Sequence, residues 1–497
     1  MSLLMGIDLG TSSLKTMILD SQNGSVVSQA AENYQFDSPS NGYAEQEAQV
    51  WWNALVNTVK SSLSLSLSAP VALSFSGQMH GAVLLDENYE VLRPVILHCD
   101  TRSLKQVTAL KALFAEKKFP SARFNPVYTG FLLASLLWVR ENEGEIYKKL
   151  RHVCLPKDYL KLKLCGTLNT DYSDASGTLA FDVENWCWAS DIIKALDIDE
   201  SIFPPAVSAA TIAGRVVQSA ANETGLSSET LVITGGSDQL MQAIGNGAIN
   251  AGQATINIGS SGQVCFQSDK AIVNPKMSTN TFCAADKGAW FTMGATMSAG
   301  LALKWFSKNI ADFDFSKIDE EVSKTQSSGL LFLPYLSGER TPHLKSDLRA
   351  AFLGMSLTTT KWEMARCAIE GVAFSLYDCI YVCEDLGLKA DEAIASGGGA
   401  RSHVWLQIQA DIYGLPLKTA KNEEQACVGA AAIAGFGCGV YSSLKEATEA
   451  LVCYKDKYYM PDIKRHQYYM ELYRLYGDAY RANEHLLTHL SGMRRYG

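Results

Sequence analysis

Three short apolar runs open the chain, at residues 4–9, 14–19 and 26–31, split by Gly10-Thr11-Ser12 and by Gln22-Asn23-Gly24. Asn-Gly between apolar runs is a strong hairpin signal, so the pattern predicts a β-meander. A helix is expected over 50–64 and a strand over 71–75. Residues 82–85 and 91–92, joined through Asn88-Tyr89, predict another hairpin. Strand and helix patterns then alternate as far as a strand at 231–234, the order of an α/β layer architecture. Halfway along, the opening pattern returns. Apolar runs at 254–258 and 264–267 flank Gly259-Ser260-Ser261-Gly262, and a further strand is expected at 290–293. Residues 360–386 carry apolar side chains at i, i+3, i+4 spacing, a long helix that stops at Gly387. A strand at 392–395 leads into Gly397-Gly398-Gly399-Ala400 and another helix. The apolar stretch 426–440 is short and broken by glycines, so it reads as a tightly packed helix and not as a membrane span. From Met460 onward the chain is polar and aromatic, a capping helix.

A chain of 497 residues exceeds what one core supports, so two domains are expected. The boundary falls near Gly245-Asn246-Gly247, dividing 1–245 from 246–497, where a helix following Asp238 should cross between the halves. A hinge and a helix kink both suit that triplet. A net charge of -9 and the absence of a long Lys/Arg run argue against a nucleic-acid partner. The 12 cysteines contain no C-x-x-C pair, which excludes a zinc ribbon and a redox motif and points to a reducing cytoplasm. Cys379 and Cys383 share a helical face and read as core. The opening Ser2-Leu3-Leu4-Met5 runs into a strand and not into an apolar signal helix.

The returning motif carries the candidate chemistry. Ile7-Asp8-Leu9-Gly10-Thr11-Ser12 and Ile256-Asn257-Ile258-Gly259-Ser260-Ser261 each run an apolar strand into a Gly and hydroxyl turn. Such turns expose backbone N–H groups that hold anions. A matched pair predicts a duplicated domain gripping one polyphosphate; two ordinary turns are the plainer alternative. The first copy has an acid, Asp8, where the second has Asn257. An acid beside phosphate oxygens calls for a cation, so Mg²⁺ is expected there. Gly235-Gly236-Ser237-Asp238-Gln239 follows a strand, placing an acid at a helix start. Asp238 reads as a base that takes a hydroxyl proton during attack on a γ-phosphate, or as a plain N-cap. Gly397 to Ser402 reads as a surface for a base or ribose, or as a packing turn. Ser76-Gly77-Gln78-Met79-His80-Gly81 ends a strand with groups that suit a polyol, although a lone His is more often structural. The loop from Leu333 to His343 reads as a second-domain lid or as a plain connection.

Together these motifs resemble, in order and over essentially the whole chain, the FGGY family of carbohydrate kinases. Further matches are the stretch from Phe352 to Glu370, Leu155-Pro156-Lys157-Asp158-Tyr159-Leu160 and Phe332 to His343. The resemblance implies two ribonuclease H-like domains of the actin and hexokinase ATPase type with a central cleft. It implies a cytoplasmic ATP- and Mg²⁺-dependent kinase for the terminal hydroxyl of a ketopentose, D-xylulose first, with ribulose, gluconate and glycerol as alternatives. By the same resemblance Asp238 is the catalytic base, Asp8 acts on the metal with Asp238 beside it, and Gln78, Met79, His80, Asp100 and Gln239 join Asp238 at the sugar. ATP would be held by Gly10, Thr11, Ser12, Lys15, Gly259, Ser260, Ser261, Gly300, Lys304, Gly398, Gly399, Ala400 and His403. A homodimer is also implied; a membrane or nucleic-acid partner is not.

Three departures from the family pattern bear on the sugar. His98-Cys99-Asp100 stands where Trp-x-Asp is usual, Gln239 where Asn commonly follows the base, and 130–138 lacks an expected Pro and Lys. They leave phosphoryl transfer intact and put the particular sugar in question. Rivals of another class are an actin-like nucleotide-switch ATPase and a catalytically dead sugar sensor. The first lacks a peptide-binding segment, and the presence of both Asp8 and Asp238 speaks against the second.

Overall fold

The computed structural model describes residues 2–493. Two mixed sheets dominate it, and they repeat one plan. The first contains β1 (Leu3–Leu9), β2 (Ser13–Asp20), β3 (Val26–Asn33), β4 (Ala72–Gly77), β5 (Ile212–Arg215) and β6 (Leu231–Ile233), in the order β5-β6-β4-β1-β2-β3. The second contains β7 (Gln253–Ile258), β8 (Gly262–Ser268), β9 (Asn280–Cys283), β10 (Trp290–Thr296), β11 (Glu392–Ser396) and β12 (Leu417–Thr419), in the order β9-β10-β8-β7-β11-β12. In each, three adjacent antiparallel strands lie beside two strands that run parallel to the first of them. This is the duplication expected from the repeated motif, in the actin- and hexokinase-like form that the family resemblance implies.

The duplication extends to single residues. Asp8 of β1 lies across from Lys15 on one side and Ser76 on the other. Asn257 of β7 lies across from Gln263 and Ser396 in the same way. Strands buried on both faces need no polar alternation, and β1 is accordingly apolar apart from Gly6 and Asp8.

Helices cover these sheets. They include α1 (Ala48–Ser64), α2 (Pro156–Cys165), α3 (Tyr172–Ser176), α4 (Asp238–Gly245), α5 (Lys361–Asp385), α6 (His403–Tyr413), α7 (Gln425–Gly437) and α8 (Ile463–Met493). α5 begins in a reciprocal cap, Thr360 with Glu363, and is followed by Gly387 at φ +87°. Its Cys379 and Cys383 are core residues. α7 lies on the first sheet although it belongs to the second half of the sequence. Its Val428, Ala431 and Ala434 share a core with Leu4, Ile233 and Met241. A Cβ on Gly6 would stand 1.9 Å from the Cys427 carbonyl oxygen, so helix and strand meet backbone to backbone. α4 and α7 approach equally closely: a Cβ on Gly245 would stand 1.8 Å from the Gln425 oxygen.

One predicted element differs. The hairpin through Asn88-Tyr89 reduces to a single bridge, Leu85 to Val91, while Val83–Leu85 pairs with the distant His152–Cys154. Tyr89 sits at φ +63°, and the longer-range partner supplies a ladder that the short 91–92 run cannot. Among the described residues, no helix is long and apolar enough to cross a membrane.

Candidate active site

A cavity of about 320 Å³ opens between the two sheets. From the first half it receives Gln78, Met79 and His80 at the end of β4, His98 and Cys99, and Asp238 and Gln239 at the start of α4. From the second half come Ser261 and Gln263 at the β7–β8 tip, Thr296 and Arg340. The ends of parallel strands and the helices after them thus converge here, as open α/β sheets dictate.

Asp238 is the first helical residue, and Ser237 is the N-cap. The plain N-cap reading is therefore replaced: the Asp238 carboxylate accepts the Gln239 N–H at 2.8 Å and otherwise faces the cavity. Burial, followed by the charge of Asp8, pushes its pKa up to about 7. Asp8 is raised for the same first reason, and the Ser76 hydroxyl, donating to its Oδ1 at 2.7 Å, opposes that rise. The two carboxylates are close enough to repel each other, and burial leaves both underhydrated. His80 is at φ +73°, stacks on Phe131 with centroids 3.9 Å apart, and meets the Gly177 carbonyl through Nδ1 at 2.7 Å. Burial holds its pKa down to about 3, so the ring is neutral, with Nδ1–H donating and Nε2 left as an acceptor. Gln78 accepts from the Thr11 hydroxyl through Oε1 at 3.1 Å, while its buried Nε2 has no partner. That amide tethers the first turn to the cavity and retains a donor.

A second cavity of about 180 Å³ is lined by Lys15, Ser396, Gly397, Gly398, Ala400 and Glu424 among others. Gly397 takes φ +75°, and a Cβ there would stand 2.4 Å from Asn257 Oδ1. Gly399 is buried on Ile258, so it lets the loop sit down on β7 and does not itself face the cavity. The turn glycines close their own hairpins: the Gly10 N–H bonds the Ser13 carbonyl and the Gly259 N–H the Ser261 carbonyl. The residues after the glycines, Thr11, Ser12, Ser260 and Ser261, are the ones left at the two tips. Gly300 donates to the Gly259 carbonyl, and the Ala299 and Leu301 amides donate to Ser260, which braces the second tip.

Of the predicted residues, Asp8, Gly10, Thr11, Ser12, Gly259, Ser260 and Gly300 belong to or brace the two turns and line neither cavity, and three more lie outside the turns and both cavities. Asp100 is buried, and its carboxylate is taken up by Arg102 and by the Ala44 N–H. A residue so committed anchors the 98–102 turn and cannot serve a sugar. His403 is bound to Tyr459 and, through its N–H, to Asp319, and lines neither cavity. Lys304 lies exposed one turn beyond Gly300 and also lines neither.

The loop from Leu333 to His343 is not a lid. Buried Glu339 accepts the Met297 N–H at 2.8 Å and the Ser375 hydroxyl at 3.0 Å. Thr341 bonds the Ala295 and Ser278 carbonyls. This clamp fixes the backbone of Arg340, whose guanidinium reaches the cavity beside Tyr128, 5.5 Å from the ring centroid. Sequence reasoning missed Arg340; its neighbours, a Gly and an acid before a Thr-Pro step, were the available signal.

Comparison with known proteins agrees with this geometry. The model of the FGGY family of carbohydrate kinases, N-terminal domain, matches residues 3–245, and that of its C-terminal domain matches 254–438. The chain is 36% identical over 495 residues to a xylulose kinase of Staphylococcus epidermidis, covering 98% of each. It is 35% identical to the xylulose kinase of Bacillus subtilis over the whole of both chains. A ligand-bound xylulose kinase from Lactobacillus acidophilus superposes with a TM-score of 0.92 at 25% identity, covering 97% of this chain and 99% of that one.

Proposed function

The chain belongs to the FGGY family of carbohydrate kinases and is an ATP-dependent sugar kinase, and from that premise we propose that it phosphorylates the terminal hydroxyl of D-xylulose. The first lobe, taken as 1–245, holds the sugar and the base; the second, 246–497, holds most of the nucleotide. The observation that carries this reading is the shared cavity of Asp238, the Gln78-Met79-His80 strand end and Ser261 of the second turn. Asp238 takes the proton of the sugar hydroxyl as its oxygen bonds the γ-phosphorus and the bond to the ADP oxygen breaks. A carboxyl poised near neutrality suits that task, since transfer relies on positioning more than on basicity. His80 and the spare Gln78 amide offer an acceptor and a donor to sugar hydroxyls, and Arg340 offers a fixed cation from the opposite lobe.

Mg²⁺ fits the residues present. Asp8 and Asp238 lie within repulsive reach, and no group of three or more His, Cys, Asp or Glu among the described residues forms a closed metal cage. A hard cation that keeps waters and arrives with phosphates needs only one or two carboxylates. Asp8 would hold it, and when bound it would neutralise charge on the phosphate oxygens.

The test is coupled ADP release with Mg·ATP across D-xylulose, D-ribulose, gluconate and glycerol. D-Xylulose is expected to saturate with the highest kcat/KM. Failure of D-xylulose while another member saturates would overturn the choice of sugar.

A further inference from the structure

Behind the candidate base lies a set of buried acidic and basic side chains that the reaction itself does not use. Lys157 and Lys161 of α2, with Asp158, Asp171 and Asp174, have no side-chain exposure at all. Lys157 Nζ lies 2.6 Å from Asp158, 2.9 Å from Asp171 and 3.2 Å from Asp174. Lys161 reaches Asp158 at 3.0 Å and the Asn169 carbonyl at 2.6 Å. Removing such a group of charges from water is costly, and apolar side chains of equal volume would serve stability as well. What a buried charge-assisted network supplies is fixed geometry.

Its contacts lead to the active site. The second oxygen of Asp171 accepts both the N–H and the hydroxyl of Ser173. A hydroxyl that donates to a carboxylate has its lone pairs turned outward, and Ser173 Oγ accepts the Ser237 N–H at 2.9 Å. Ser237 is the N-cap of α4, immediately before Asp238. α3, which carries Ser173, is followed by Gly177, whose carbonyl meets His80 Nδ1. The stem of Lys157 also sets the end of β4: a Cβ on Gly77 would stand 2.6 Å from Lys157 Cβ. Three arrivals at the sugar cavity, from β4, α3 and α4, are thus referenced to one buried ion cluster.

We propose that Ser173 is a positioning residue for the base: Lys157 fixes Asp171, Asp171 fixes the Ser173 hydroxyl, and that hydroxyl fixes the Ser237 amide from which Asp238 projects. The inference rests on Asp238 acting as the base of the sugar kinase proposed above. A base displaced by a fraction of an ångström loses rate while the nucleotide, bound by other elements, keeps its affinity.

Ser173→Ala in the full-length enzyme tests it, with kcat, the KM values for ATP and D-xylulose, and exchange of the Ser237 amide hydrogen as readouts. The expected result is a tenfold to hundredfold fall in kcat, an ATP KM within twofold of wild type, and faster exchange at Ser237. Should Ser173→Ala not fold, Asp171→Asn keeps an acceptor for Ser173 and replaces the oxygen that faces Lys157 by an amide NH2, which breaks the link to the lysine; a threefold to tenfold fall in kcat with the same KM pattern is expected. A folded variant of either kind with kcat within twofold of wild type overturns the proposal. So does a kcat loss matched by an equal rise in the ATP KM. Failure of the underlying reading is distinct, since wild-type enzyme would then turn over no sugar, or Asp238→Asn would keep full activity.

Discussion

Asp8 and Asn257 occupy the same position in the two copies of one strand pair, each flanked by a hairpin partner and by a serine on the neighbouring parallel strand. Only one carries charge, so the two turns are equivalent in shape and opposite in electrostatic use. Asp8→Asn makes the two turns alike. We expect a fall in kcat of about a hundredfold or more, on the scale of losing a main electrostatic contact in a transfer site. Dependence of the rate on Mg²⁺ concentration should weaken with it. The mirror change, Asn257→Asp, should weaken ATP binding in calorimetry by setting an uncompensated acid against the phosphates. An Asp8→Asn enzyme with wild-type rate and metal dependence would remove Asp8 from the mechanism.

Asp238→Asn keeps the shape and the Gln239 contact and removes the proton acceptor. We expect kcat to fall about 10²–10⁴-fold, the range of a general base, with sugar and nucleotide affinities nearly unchanged. Calorimetric binding beside steady-state rates separates the two effects.

Arg340→Met shortens no backbone bond of the clamped loop, because Glu339 and Thr341 hold it through their own groups. The loss should fall on the sugar. We expect the KM for D-xylulose to rise about tenfold or more, as for a lost hydrogen bond to a charged group, while the KM for ATP stays put. An unchanged KM for D-xylulose would place the guanidinium off the sugar.

Gly245→Ala tests the contact of α4 with α7. A methyl group 1.8 Å from a carbonyl oxygen cannot be accommodated without moving a helix. Overpacking of this kind costs about 1–3 kcal/mol. Urea unfolding should show a lower midpoint, and an unchanged midpoint would mean that the helices separate freely.

Asp378 is a buried carboxyl raised to about 7, chiefly by burial, with the Tyr473 hydroxyl pulling the other way. In the unfolded chain it titrates near 3.8. Between those values the unfolded chain binds fewer protons than the folded one, so stability falls as pH rises from about 4 to about 7 and levels beyond. Asp378→Asn removes this term. The difference in denaturant midpoint between pH 5 and pH 8 should therefore shrink in the variant; an equal difference would mean that Asp378 does not titrate with folding.

The parts of the fold written in local pattern were legible from the residues alone. The opening meander, the returning hairpin and the capped helix α5 each declare themselves through spacing, glycine and capping within about thirty residues. The strand end Gln78 to His80 and the helix start at Asp238 were also legible as polar ends, and the structure brings them to one cavity. What escaped depends on contacts across long separations. Asp100 looks available until Arg102 and Ala44 are seen to occupy it. Arg340 enters the cavity because Glu339 is held by Met297 and Ser375, residues from two other elements. Likewise Lys157, Asp171 and Ser237 come from three separate stretches, and only folding brings them into one chain of contacts.

The glycine-mediated contact of α4 with α7 has a mechanical consequence. Backbone touching backbone leaves no compressible side-chain layer, so the two helices are held as one rigid pair. Asp238 of the larger cavity starts α4, and Glu424 and Gln425 of the smaller cavity start α7. The starts of the two helices, one at each cavity, are thereby joined through a single close-packed contact.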